Sequence, residues 1–152
     1  MSSGHAQVVK AMAVIQRPRD AALLVSEHAD PARAPFHRPL GGHVEFGEHA
    51  EHAVRRELLE EIGQSLSEVR LLGVLENIFD WDGSRAHEIV FVFGASFQDD
   101  SAYEIAEQRI LDEADDDATL VRWREADVVS PPLYPAGVAD LIAALRPAKQ
   151  RS

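Results

Sequence analysis

The 152-residue chain has no cysteine. Disulfides, thiolate nucleophiles and cysteine-ligated zinc are therefore excluded. It has no apolar run near the roughly 18 residues that mark a membrane-spanning helix. The opening MSSGHAQVVK lacks the basic-then-apolar pattern of a secretory leader. The expected location is the cytoplasm, with no membrane partner. Positive charge is also scarce. Lys and Arg number 15 against 26 Asp and Glu, a formal net charge of −11. A broad grip on nucleic acid needs a basic patch, so none is expected. A phosphorylated small molecule stays open, because a metal cation can stand between two anions. Part of the acid excess is the run DEADDD at residues 112–117, which reads as a solvated loop. With no repeat and no long linker, the chain reads as one domain, 1–152, with its ordered core at about 8–146. The sequence permits a homodimer without fixing the oligomeric state.

The local patterns alternate between strand and helix. Residues 8–16 and 21–27 are short apolar runs joined by a turn at 18–20 and read as strands. Residues 29–36 hold two prolines and read as a loop, followed by a brief extended piece through Gly41 and Gly42. Residues 49–62 contain neither Gly nor Pro and predict a helix, with Gly63 in the left-handed position beyond its end. Residues 67–79 and 87–97 predict a long antiparallel hairpin around the Asp-Gly turn of DWDGS. A short helix is expected within 101–112, a strand at 119–125 and a last helix at 135–145. This order gives a mixed α/β (α+β) class.

The helix at 49–62 carries the chemistry. At about 100° per residue, Val54, Leu58 and Ile62 form an apolar stripe, and Glu57, Glu60 and Glu61 occupy the arc beside it. Ala50 and Ala53 on that arc leave room. A solvated acidic face would lie opposite the stripe rather than against it. Three carboxylates at the margin of a core need compensation. Arg56 can pair with Glu60 at i, i+4, but one arginine does not neutralise three acids. A hard divalent cation does. The two glycines before the helix allow close backbone approach, and the helix start offers free N–H groups to phosphate oxygens.

The stretch from Gly42 to Gly63 resembles the Nudix box, G-x5-E-x7-R-E-U-x-E-E-x-G-U, where U is a bulky aliphatic residue. Gly42, Glu48, Arg56, Glu57, Leu58, Glu60, Glu61 and Gly63 match in register, and Gln64 departs from the final aliphatic position. That departure falls after the acids and concerns packing at the helix exit. The resemblance implies an α/β/α sandwich with a mixed central sheet. It also implies a pyrophosphohydrolase that cleaves a nucleoside diphosphate linked to another moiety, using Mg2+ or Mn2+. By the same resemblance, Glu60, Glu61 and the Gly41 carbonyl are metal ligands. Glu57 is a further ligand or the base, Arg56 orients the glutamates, and Glu48 helps bind metal directly or through water.

Many members add an acid from outside the box. The candidates are Glu76, Glu88, Glu104, Glu113 and Asp117. Trp81, Trp123, Phe79 and Tyr134 are the candidates for stacking on a base, with Trp81 the best placed. His43, His49 and His52 read as surface or capping residues, since no third soft ligand is in register for zinc. The proline and tyrosine markers of ADP-ribose and dinucleoside polyphosphate members are absent after the box, where FDWD stands. An allylic diphosphate isomerase would want a cysteine in most relatives. A catalytically silent sensor or binding module on the same fold is the alternative, but such proteins usually lose box acids, and here all three are present.

Overall fold

The computed structural model describes residues 5–30, 33–81, 83–111 and 119–145. Its chain order is β1 (Gln7–Ile15), β2 (Leu23–Asp30), β3 (Arg33–Arg38), β4 (Leu40–His43), α1 (Ala50–Ile62), β5 (Leu66–Trp81) and β6 (Ser84–Phe97). A 3-10 turn (Asp100–Glu104), β7 (Glu107–Arg109), β8 (Leu120–Arg124) and α2 (Val138–Ala143) follow. The strands form two four-stranded sheets, β4-β1-β6-β5 and β3-β2-β8-β7. In the first, β1 and β6 run parallel while β1–β4 and β5–β6 are antiparallel, so the sheet is mixed. The second is antiparallel throughout.

Side chains along a strand alternate between faces, and the mixed sheet buries both of its own. Ala11, Ala13, Ile15 and Phe93 meet Ala53, Val54, Leu58 and Ile62 of α1 on one face. Met12, Val14, Val90 and Val92 meet Val138, Leu141 and Ile142 of the α2 region on the other. The result is the α/β/α sandwich that the box implied. β2 contributes to both cores, Leu24 to the first and Leu23 and Val25 to the second. α1 ends as its sequence indicates: Gly63 is left-handed at φ 71°, and its N–H bonds Leu59 O.

Several expectations are corrected. Of the stretch 29–36 that reads as a loop, residues 29–30 end β2 and residues 33–36 belong to β3, which pairs with β2 antiparallel; Pro31 lies outside the described residues. Pro35 is tolerated because β3 is an edge strand, where a missing N–H need not break a ladder. The helix sought at 101–112 is a single 3-10 turn followed by β7, and its last residue, Asp112, lies outside the described residues. The last helix begins at Val138, because Gly137 before it is left-handed at φ 96°. The first two strands and their turn at 18–20 form as expected; they enter different sheets, bridged at Gln16–Leu23. The solvated-loop reading of residues 112–117 falls outside the described residues.

A buried polar cluster ties the antiparallel sheet together. His37, only 4% exposed, accepts from Arg124 Nη1 at Nδ1 (2.9 Å) and has Glu27 3.5 Å from Nε2. Burial, then the Arg124 charge, holds the His37 pKa below its ordinary 6.5, against the opposing pull of Glu27. The unfolded chain thus takes up this proton at a higher pH than the folded one. Stability from neutral His37 is complete above about pH 6.5 and is lost as pH falls below it. Thermal scans between about pH 7 and pH 5 should show a falling Tm, with a shallower slope in His37→Gln. An unchanged slope in that variant would refute the assignment.

Candidate active site

Backbone geometry brings the box glycines onto α1. β4 pairs with β1 so that Gly41 faces Met12 and Gly42 faces Ala11. At Gly42 a Cβ would lie 2.4 Å from Glu57 Cδ, so the carboxylate of Glu57 rests directly over that backbone. Only glycine leaves space for it. Glu57 is largely buried, with its side chain 15% exposed, whereas Glu60 reaches solvent at 48%. One carboxylate oxygen of Glu61, Oε1, is shut off from solvent. The acids thus occupy the margin of the core that the helical wheel indicated.

Arg56 organises this face. Its guanidinium donates to both oxygens of Glu48 (2.8 and 3.0 Å), to Glu57 Oε2 (3.2 Å), to Glu60 Oε1 (3.2 Å) and to the His43 carbonyl (3.0 Å). Five contacts from one planar fork fix both helix acids relative to the loop. Glu48 also accepts from the Glu45 N–H at 3.0 Å and lies 2.7 Å from His52 Nδ1. The Arg56 hydrogen bonds, then the Glu45 N–H, hold the Glu48 carboxyl well below the usual carboxylate range. The same pairing pushes the Arg56 guanidinium further up. His49 is the helix N-cap without a side-chain capping bond. Arg56→Lys keeps the charge and loses the fork. Turnover should drop about 10- to 100-fold from misplacement of the acids, with the helical circular dichroism retained.

A cavity of about 930 Å3 is walled by Phe36, Phe79, Trp81 and Tyr134; none of the box acids lines it, and Arg38, which does, feels the charge of Glu61 on α1. Phe36 stacks on His28 at 5.0 Å and meets Trp81 edge-on at 6.4 Å and Tyr134 at 5.2 Å. Trp81 and Tyr134 remain 43% and 46% exposed, so their rings are available to a ligand. Trp123 is not part of this wall. It is buried against Tyr103 and donates to the Ile105 carbonyl at 2.9 Å.

The acids proposed from outside the box separate clearly. Glu88 lines the cavity and pairs with Lys10 at 2.9 Å. Glu76 is exposed and bonded to His87 (3.0 Å), and Glu104 is exposed and paired with Arg19 (3.4 Å). Glu113 and Asp117 lie outside the described residues. Sequence reasoning missed Lys10, His28, Phe36, Arg38 and Asn77 as cavity residues. The available signal was the i, i+2 spacing of Phe36 and Arg38, which puts both on one face of a strand.

An acid-lined helix held under a glycine strand fits a phosphoanhydride hydrolase of the Nudix kind. Residues 6–145 match the NUDIX domain, and the chain belongs to that family. A MutT NUDIX hydrolase from Burkholderia pseudomallei is similar in structure, at 25% identity and a TM-score of 0.68 over 93% of this chain and 100% of that one. A MutT structure from work on Aliivibrio salmonicida and Vibrio cholerae has 19% identity and a TM-score of 0.61, covering 91% and 98%. The ORF135 protein of E. coli has 20% identity and a TM-score of 0.55, covering 100% and 99%. The last two show the shared fold alone. The protein is a pyrophosphohydrolase of the NUDIX family.

Proposed function

We propose that the protein hydrolyses a nucleoside diphosphate linked to a second group, such as a nucleoside triphosphate or a nucleotide-sugar, with Mg2+ or Mn2+ held by the acids of α1. The observation that supports this is the carboxylate of Glu57 set directly against Gly42 and joined through Arg56 to Glu60, on the helix that also carries Glu61. The donor set fits a hard cation, being carboxylate and backbone oxygens throughout. As placed, no group of three or more His, Asp or Glu side chains among the described residues is arranged to hold a metal ion. Binding in this reading requires Glu60, half exposed on the Arg56 fork, to turn toward Glu57 and Glu61.

In this reading Glu60, Glu61 and the Gly41 carbonyl hold the cation. Glu48 joins through water while its oxygens stay on Arg56. A bound cation neutralises diphosphate charge and lowers the pKa of water. Glu57, set against Gly42, is a ligand or takes the proton from the attacking water. Arg56 keeps Glu57 and Glu60 in register. Trp81 stacks on the base, and Glu88 meets the substrate in the cavity. Asp117 is kept as a candidate from the sequence alone. The acidic, cysteine-free composition favours the cytoplasm. No helix among the described residues is long and apolar enough to cross a membrane.

The test is a panel of nucleoside triphosphates, nucleotide-sugars and dinucleoside polyphosphates, with Mg2+ or Mn2+, followed by phosphatase-coupled phosphate release. Mg2+ should also raise Tm, since binding to the native state alone stabilises it. Turnover of none, together with a Tm indifferent to Mg2+ and Mn2+, would overturn the reading.

A further inference from the structure

Lys10, Arg38, Asp80 and Glu88 line the aromatic cavity. Three of them have an ion partner. Lys10 and Glu88 hold each other at 2.9 Å with side chains 15% and 12% exposed, and Asp80 accepts from Arg85 at 3.1 Å. Arg38 differs. It is partly buried, and its guanidinium donates no hydrogen bond among the described residues. Glu88 and Glu61 act on it through space, and burial pushes its pKa below the ordinary value. A partly desolvated guanidinium has five N–H donors, and leaving them without acceptors costs free energy.

Its position is equally specific. Arg38 and Phe36 lie two residues apart on β3, so guanidinium and ring face one volume. Arg38 also stands three residues before Gly41, and both Glu88 in the cavity and Glu61 on α1 lie within electrostatic reach of it. The charges can be followed through binding. Arg85 pairs with Asp80, while Lys10 and Arg38 share Glu88, which acts on Arg38 more strongly than Glu61 does. Glu61 is the second counter-charge to Arg38. In the reading above, Glu61 gives that charge to the cation. Arg38 is left as a half-buried cation beside an aromatic wall, and an anion must come from the ligand.

We propose that Arg38 is a substrate-binding residue that grips the phosphate attached to the nucleoside, with the base lying against Phe36 and Trp81. The substrate class is then a nucleotide that sits base-first in the cavity. The nucleoside monophosphate product is held by the protein as well as by the cation. This rests on the placement of the metal at α1.

Equilibrium binding tests it without turnover. The four common nucleoside monophosphates and their parent nucleosides are titrated by calorimetry, in Mg2+, against wild type, Arg38→Ala and Arg38→Lys. The tightest monophosphate should bind Arg38→Ala about 10- to 100-fold more weakly than wild type, as expected for a lost charged hydrogen bond. Its nucleoside should bind both within about twofold, and Arg38→Lys should recover part of the loss. Equal monophosphate affinity in Arg38→Ala would make Arg38 a counter-ion only and overturn the proposal. An equal loss for nucleoside and monophosphate would place it on the base and also overturn it. So would the failure of every monophosphate to bind wild type. Failure of the metal reading looks different: Mg2+ leaves Tm unmoved and nothing in the panel is hydrolysed, while the Arg38-dependent phosphate increment persists.

Discussion

Glu61→Gln should lower turnover by about 10²- to 10³-fold, the scale of losing one preorganised electrostatic group. The side chain keeps its shape and loses its charge. In the metal-free protein two effects oppose each other. Repulsion between Glu61 and Glu57, four residues apart, is relieved by roughly 0.2–0.5 kcal/mol. Arg38 meanwhile loses one of the two carboxylates whose charge it feels. The metal-free Tm should therefore move little. The Mg2+-dependent rise in Tm should shrink, because that increment measures cation affinity for the native state. A variant with full activity and the full Mg2+ increment would remove Glu61 from the metal site.

Gly41→Ala should have the largest effect on stability. Gly41 has φ 153°, and a Cβ there would lie 2.0 Å from the Ala11 carbonyl oxygen and 2.8 Å from Met12 Cα. Both obstacles are backbone, so no side chain can turn aside. β4 must separate from β1 or the residue must leave its conformation. Strain and overpacking together cost roughly 2–6 kcal/mol, a large part of a stability of about 5–15 kcal/mol. Tm should fall by roughly 5–20 °C in a thermal scan. Gly42→Ala is the contrast, since its Cβ would meet the movable carboxylate of Glu57. That variant should fold and lose activity. Equal Tm losses in the two would mean that the carboxylate cannot swing away.

Some of this was legible in the sequence. α1 was, because its 3.6-residue period, its glycine end and the fixed spacing of the acids all agree. The β5–β6 hairpin was, because Asp-Gly sits between β-rich runs. β3 was not. Pro35 within it and Pro31 before it read as loop, and whether a strand lies at a sheet edge depends on pairing that local sequence does not encode. Trp81 and Trp123 separate for the same reason. Both are aromatics near strands, yet β8 lies inside its sheet and buries Trp123 against Tyr103, while Trp81 ends β5 at the mouth of the cavity. Arg38 was missed entirely. Its place depends on β1, β3 and the β5–β6 tip meeting across long stretches of chain.

The parallel pairing of β1 with β6 has a kinetic consequence. Residues 7–15 lie beside residues 87–95, so the centre of the mixed sheet closes a loop of about 80 residues. α1 and both box glycines fall inside that loop. Local signals favour the helix early, but the strand that seats its glycines is held from one side only until β6 docks on the other. Contacts so distant in sequence form slowly. The acids are therefore expected to gather on their helix before the platform that aims them exists. In refolding, helical signal should return ahead of Mg2+ binding, with the interval set by the arrival of the β5–β6 hairpin.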